Sequence, residues 1–269
     1  TRTSSATRVN PDYLIETVSI NSANLVQNGN FSELGSQLVT NGDFATDSDW
    51  TLGTGWEISN GKANSINTLG FELSQPANYI TGKTYKITYT ISDYVSGSIR
   101  VYYGGTGAGI ERSANGTYTE YIAASGSQTL YVRSTIAFTG SIDNVSVKQV
   151  DPNDNWSLGT GWSIEEETLK ATETAGASVY VTATIDFLTA GKIYLVTYTV
   201  VSISSGSVNI QLGFQSGTER TAVGTYSEQI TSDGSAFYIY TPANPSTLSI
   251  SNISVIEIQE NGVPRLDYT

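Results

Sequence analysis

Apolar and polar residues alternate with a period of two along most of the chain. That spacing turns one side chain toward a core and the next toward water on a half-buried strand. Tyr85, Ile87, Tyr89 and Ile91 alternate with Lys86, Thr88 and Thr90, and Tyr194, Val196, Tyr198 and Val200 repeat the pattern further on. Ile99, Val101 and Tyr103 have the same relation to Val208, Ile210 and Leu212. Asn60-Gly61, Asn115-Gly116, Ser125-Gly126 and Asp233-Gly234 separate the runs. Asn-Gly and Asp-Gly readily take the positive φ that tight hairpins need. No stretch keeps a helical period beyond a turn or two. The pattern predicts an all-β chain built as antiparallel β-sandwich.

The pattern is also written twice. Trp50-Thr-Leu-Gly-Thr-Gly-Trp56 returns as Trp156-Ser-Leu-Gly-Thr-Gly-Trp162, and the stretch 82–91 returns at 191–200. Glu111-Arg112 returns as Glu219-Arg220, which suggests a structural charge pair, and Gly116-Thr-Tyr118 returns as Gly224-Thr-Tyr226. Each copy closes alike, on Ile142-Asp-Asn-Val-Ser-Val147 and Ile250-Ser-Asn-Ile-Ser-Val255. Blocks in one order at a nearly constant offset mark a duplication. The expected division is two tandem modules, 37–150 and 151–259, between short β-rich flanking segments at 1–36 and 260–269. Asp151-Pro-Asn-Asp-Asn155 is the expected boundary, because proline cannot donate to a ladder. Asn24-Leu-Val-Gln-Asn-Gly-Asn-Phe31 reads as a spare copy of Gln37-Leu-Val-Thr-Asn-Gly-Asp-Phe44. The second copy departs from the first, with Asp-Pro-Asn-Asp-Asn where Asn-Gly-Asp-Phe should stand and Ser251 in place of Asp143.

Composition narrows the function. Charged residues are 14% of the chain and the net charge is −12, with no His, Cys or Met among 269 residues. A nucleic-acid partner would need a basic footprint against phosphate, and none is present. No run of 18 apolar residues is long enough to span a bilayer. Without His or Cys the commonest general base, any thiolate nucleophile and the commonest transition-metal ligands are missing. The carboxylates Asp43, Asp47, Asp49, Asp143 and Glu165 to Glu167 sit in polar segments, as exposed loop charges do. No enzyme is expected. The missing Met implies a processed chain or a segment of a longer one.

The flanks Ala6-Thr-Arg-Val-Asn10, Leu14-Ile-Glu-Thr-Val18 and Gly262-Val-Pro-Arg-Leu-Asp-Tyr268 resemble a frame found in structural proteins of tailed bacteriophages, notably tail fibres and other particle-surface proteins. The modules resemble carbohydrate-binding-module jelly rolls that begin Asn-Gly-Asp-Phe, carry Gly-Trp and end in an Ile-Asp-Asn-Val-Ser-Val strand. The resemblance implies a non-enzymatic virion protein, part of a fibre, spike or particle decoration, at the virion surface or outside the cell. Implied partners are other virion subunits, a homo-oligomer and host-surface polysaccharide. The alternative is a carbohydrate-binding or spacer region of a secreted bacterial glycanase or adhesin. Purely mechanical modules that bind no sugar form a third option. The resemblance also implies a structural calcium in the first module, with Asp43 and Asp143 in the matching places; no other cofactor is expected.

Two sets of aromatic and polar residues remain. Trp56 and Trp162 read as core, and Trp50 and Trp156 as caps on an end of the sandwich. Arg100 and Tyr102 have the parity opposite to Val101, as Asn209 and Gln211 have to Ile210. An outward row of this type could contact a glycan, and it is also what a solvated sheet face looks like.

Overall fold

A computed structural model describes residues 5–9, 15–70, 72–104, 108–126, 129–172, 180–183, 187–234, 236–242 and 245–261. Every described element is a strand or turn. The alternation places the core where it was expected: Tyr85, Ile87, Tyr89 and Ile91 are no more than 1% exposed, and so are Tyr194, Val196, Tyr198 and Val200.

The strands in chain order are β1 (Ser5–Val9), β2 (Ile15–Ile20), β3 (Leu34–Gln37), β4 (Thr51–Leu52), β5 (Trp56–Ser59), β6 (Lys62–Thr68) and β7 (Glu72–Pro76). They continue with β8 (Thr84–Tyr103), β9 (Gly116–Ala123), β10 (Thr129–Val150), β11 (Trp156–Leu158), β12 (Trp162–Glu165) and β13 (Thr168–Ala171). The last are β14 (Tyr180–Ala183), β15 (Ile193–Ser205), β16 (Asn209–Leu212), β17 (Gln215–Ser216), β18 (Gly224–Thr231), β19 (Phe237–Tyr240) and β20 (Thr247–Asn261).

The chain divides into 34–152 and a discontinuous unit of 1–33 with 153–269. This corrects the linear division into a flank at 1–36 and modules at 37–150 and 151–259. The first module is inserted into the second, and the missing first segment of the second module is the spare copy, Asn28-Gly-Asn-Phe31. The physical reason is visible in matched bonds. Trp50 Nε1 donates to the Asn41 carbonyl at 2.9 Å, and Trp156 Nε1 donates to the Asn28 carbonyl at 3.1 Å. Phe44 packs on Trp50 at 5.1 Å between ring centroids, and Phe31 packs on Trp156 at 5.2 Å. Val145 N donates to the Gly42 carbonyl at 2.8 Å, and Ile253 N donates to the Gly29 carbonyl at 2.8 Å. A Cβ on Gly42 would stand 2.0 Å from the Val145 carbonyl oxygen, and one on Gly29 would stand 2.1 Å from that of Ile253. Only glycine permits either approach. Trp50 and Trp156 are thus buried under these loops, at 9% and 6% exposure, rather than capping an end in polar surroundings.

In the inserted module, β8 and β10 are long strands of 20 and 22 residues that pair over most of their length. Register shifts between Ser134 and Ser141 bend the pair, so that it passes through both layers of the sandwich. One layer is β4-β7 with the first half of β10 and the end of β8. The other is β5-β6 with the second half of β10, the start of β8, and β9, while β3 pairs with the end of β10. In the host module the corresponding strands are broken, giving a β11-β14-β19-β16-β17 sheet and a second sheet containing β12, β13, β20, β15 and β18. The N-terminal flank forms a β1-β2 hairpin that adds to the end of β20 through Thr17–Ile20. The C-terminal flank from Gly262 onward lies outside the described residues.

Candidate functional site

Pairing between strands, not position in the chain, assembles the candidate site. Leu130 and Val132 on β10 are fully buried, so Tyr131 and Arg133 point to the opposite, outer face. Tyr131 lies opposite Tyr102 on β8 and Ser74 on β7, and Ser74 lies opposite Thr51 on β4. One row across four strands therefore reads Thr51, Ser74, Tyr131, Tyr102. The next row reads Glu72, Arg133, Arg100. The Arg133 guanidinium pairs with Glu72 and stands 5.5 Å from the centre of the Tyr102 ring. Arg100 reaches Glu111 at 3.5 Å. The Ser98 hydroxyl, donating to Glu111, holds that carboxyl below its ordinary range, with Thr135 assisting. A depression of about 280 Å³, lined by Thr51, Gly53, Gly70, Glu72 and Ser74, continues the face beyond the tyrosines.

The host module repeats the plan with different residues. Phe237 and Ile239 are buried, and Tyr238 and Tyr240 take the other parity on β19. Tyr238 lies opposite Gln211 and Tyr240 opposite Asn209. Gln211 is half-buried and its amide donates to Ser216 Oγ at 3.2 Å. Asn209 does not serve as an outward contact: it is 8% exposed, and its amide nitrogen donates to the Gly217 carbonyl at 2.6 Å. The chain after β17 folds over this position and takes it out of reach. Of the four sequence-level candidates, Arg100, Tyr102 and Gln211 stand on accessible faces and Asn209 does not. Tyr131, Arg133, Tyr238 and Tyr240 were missed, although the alternation in Thr129–Arg133 and Phe237–Tyr240 carries their parity.

The calcium expectation gains little. The Asp43 and Asp143 segments do meet, through the Val145–Gly42 bond. Asp143, however, accepts from its neighbour Asn144 through both oxygens, at 2.6 and 3.0 Å, and Asp43 accepts from Ala45 N at 3.4 Å. Calcium takes six to eight oxygens, and among the described residues no three acidic groups converge on one point. The two carboxylates fall short of a complete site. In the host module Ser251 Oγ occupies the place of Asp143 and donates to the Glu167 carbonyl at 2.9 Å.

The recurrent Glu-Arg dipeptides form no pair within themselves. Arg112 turns inward and pairs with Glu120 at 3.2 Å while lying 4.6 Å from the centre of the Tyr118 ring. Glu120, 5% exposed, also accepts from the Tyr89 hydroxyl at 2.9 Å and from Ile110 N at 3.0 Å. In the host module Arg220 pairs with Glu228 at 3.4 Å, and Thr218 N donates to Glu228 at 2.7 Å. Glu120 is buried and Glu228 half-buried, and each carboxylate pins a loop onto a strand, although Glu228 Oε1 has no hydrogen-bond partner.

No protein-family model and no curated protein matches the sequence. Among solved structures the chain is similar to the tandem CBM22-1–CBM22-2 domain from Paenibacillus barcinonensis Xyn10C. That likeness has 13% identity and a TM-score of 0.31, and covers 86% of this chain and 99% of that one. Similarity to allantoicase from Saccharomyces cerevisiae is at 12% identity and a TM-score of 0.28, over 88% and 93% of the two chains. A third likeness is to the M60 catalytic domain with CBM51-1 and CBM51-2 of Clostridium perfringens ZmpB. It stands at 6% identity and a TM-score of 0.22, over 94% of this chain and 43% of that one. At these scores the fold rests on its own strand pairing: two antiparallel β-sandwich modules, one set inside the other.

Proposed function

We propose that this is a non-enzymatic surface protein whose modules each present a tyrosine-bearing sheet face to polysaccharide, as part of a bacteriophage fibre, spike or particle decoration. The observation that carries the glycan reading is the row Ser74, Tyr131, Tyr102, bordered by Glu72 and Arg133. A pyranose ring offers an apolar C–H face that packs on an aromatic ring, while its hydroxyls take hydrogen bonds from flanking polar groups. Tyr238, Tyr240 and Gln211 repeat that combination in the host module. The virion setting is supported by the flanking segments Ala6–Asn10, Leu14–Val18 and Gly262–Tyr268. Each open face would bind weakly, and many copies on one particle would multiply the affinity through effective concentration.

The test is retention of the full chain on an array of bacterial surface polysaccharides. Tyr102→Ala with Tyr131→Ala, and Tyr238→Ala with Tyr240→Ala, should each lower retention at least about tenfold, the loss of roughly one aromatic contact, with unchanged circular dichroism. A wild-type chain that binds none of the glycans, or a quadruple variant that binds as the wild type does, would refute the glycan reading. A catalytic domain in the same reading frame, in place of neighbouring capsid and tail genes, would move the chain to a secreted glycanase or adhesin.

A further inference from the structure

We infer that the chain associates with a second copy of itself by extending a sheet, β9 pairing antiparallel with β9 of the other copy about Thr119, with β18 offering the same seam about Ser227. Both strands are sheet edges: β9 pairs only with β8, and β18 only with β15, among the described residues. Each runs 8 residues in unbroken register. The strands that end the sheets elsewhere are shorter. β4 and β17 have 2 residues, β11 has 3, β5 and β12 have 4, and β1 has 5. Soluble proteins blunt long edges with charge, proline or a bulge, because an open edge is a template for another strand. Neither β9 nor β18 contains a proline or a bulge, and the one charge on each is turned away from solvent. Glu120 is taken by Arg112 and Tyr89, and Glu228 by Arg220 and Thr218 N.

The open backbone groups can be assigned by parity. Ala124 N donates to the Lys83 carbonyl and its own carbonyl accepts from Gly82 N. Antiparallel ladders alternate bonded and non-bonded positions, so Ile122, Glu120 and Tyr118 bond inward to β8. Ala123, Tyr121, Thr119 and Thr117 then direct their N–H and C=O groups to the open side. Ser232, bonded to Lys192 and Gly191, fixes the same parity in the host module and opens Thr231, Gln229, Ser227 and Thr225. All eight side chains are uncharged in a chain of net charge −12.

The occupant follows from self-complementarity. Pairing about Thr119 sets Thr119 opposite its own copy and Thr117 opposite Tyr121, with no like charges facing across the outer side. It also lengthens a hydroxyl ladder already present, where Thr90 meets Thr117 at 3.0 Å and Thr88 meets Thr119 at 3.4 Å. A two-fold seam of this type uses the same surface on both copies. It lies in the other layer from the Tyr102 and Tyr131 row, so association and glycan retention are read independently.

Sedimentation equilibrium of the full chain tests the seam. The apparent mass should rise from monomer to at least twice that value between micromolar and submillimolar protein. Thr119→Pro with Ser227→Pro removes only N–H groups that face outward, as edge prolines do. That double variant should keep the wild-type circular dichroism and remain monomeric throughout. Thr119→Lys with Ser227→Lys places charge on the same edges and should do likewise, should the prolines unfold the chain. A wild-type chain that stays monomeric at every concentration overturns the inference, and so does a folded variant that associates as the wild type does.

Discussion

Glu120 is charged, 5% exposed, and held by a guanidinium, a phenol and a backbone amide. Removing one member of such a group leaves the others buried and unpaired, so Glu120→Ala should destabilise the inserted module by about 3–5 kcal/mol. Urea denaturation should show a far smaller change for Glu111→Ala, whose carboxylate stands in solvent. The sequence placed Glu111 beside Arg112 and suggested a pair. In the extended loop that bridges to Ile99 through Arg112, neighbours point to opposite sides, so Arg112 turns inward and meets a glutamate eight positions on. Pairing of that kind is a property of the hairpin and cannot be read from adjacency. Buried phenols make a second prediction. Burial pushes Tyr198 up to about 12 and raises Tyr89 and Tyr103 above the ordinary tyrosine range. A raised folded pKa gives stability that is complete below the unfolded value near 10 and is lost as pH climbs through the folded one. Alkaline titration followed by phenolate absorbance should therefore show a late group of tyrosines that ionise only as circular dichroism collapses.

Among the elements, the bent β8–β10 pair is what lets one pair of long strands serve both layers. Gly97 sits at the bend with φ +83°, where a Cβ would stand 2.0 Å from the Ala137 carbonyl oxygen. Gly82 has a similar φ of +85° but open space around it. Gly82→Ala should cost only the left-handed penalty, about 1–2 kcal/mol. Gly97→Ala should cost at least about 2 kcal/mol more, because backbone must move; thermal denaturation of the two variants separates the effects. Strand parity was legible along most strands, down to the buried Tyr85, Ile87, Tyr89 and Ile91, and misled at Asn209, which the chain after β17 covers. Which strand lies beside which was not legible. Arg100 and Tyr102 were found as an outward pair, whereas Tyr131 and Arg133 joined them only once β10 was seen to pair with β8, since alternation fixes a face and not a partner.

For the whole molecule, the duplication was plain and its nesting was not, because Asn28–Phe31 and Trp156 lie on either side of an entire module. The inserted unit begins and ends on paired strands, with Leu34 opposite Val150. Residues 34–152 should thus fold alone, with a cooperative thermal transition. A chain in which Glu33 is joined directly to Asn153 should also fold, since Asn153 and Asn155 already donate to the Glu33 carboxylate. Loss of the transition in either product, followed by circular dichroism, would contradict the nested reading.

Nesting also decides how the chain carries tension. A pull applied outside the host module crosses it through β2 and β20, which run side by side through Thr17–Ile20. While those contacts hold, the two connections to the inserted module belong to one closed loop and transmit none of the load. The inserted sandwich, with its Tyr102 and Tyr131 face, stays slack until its host has been torn open.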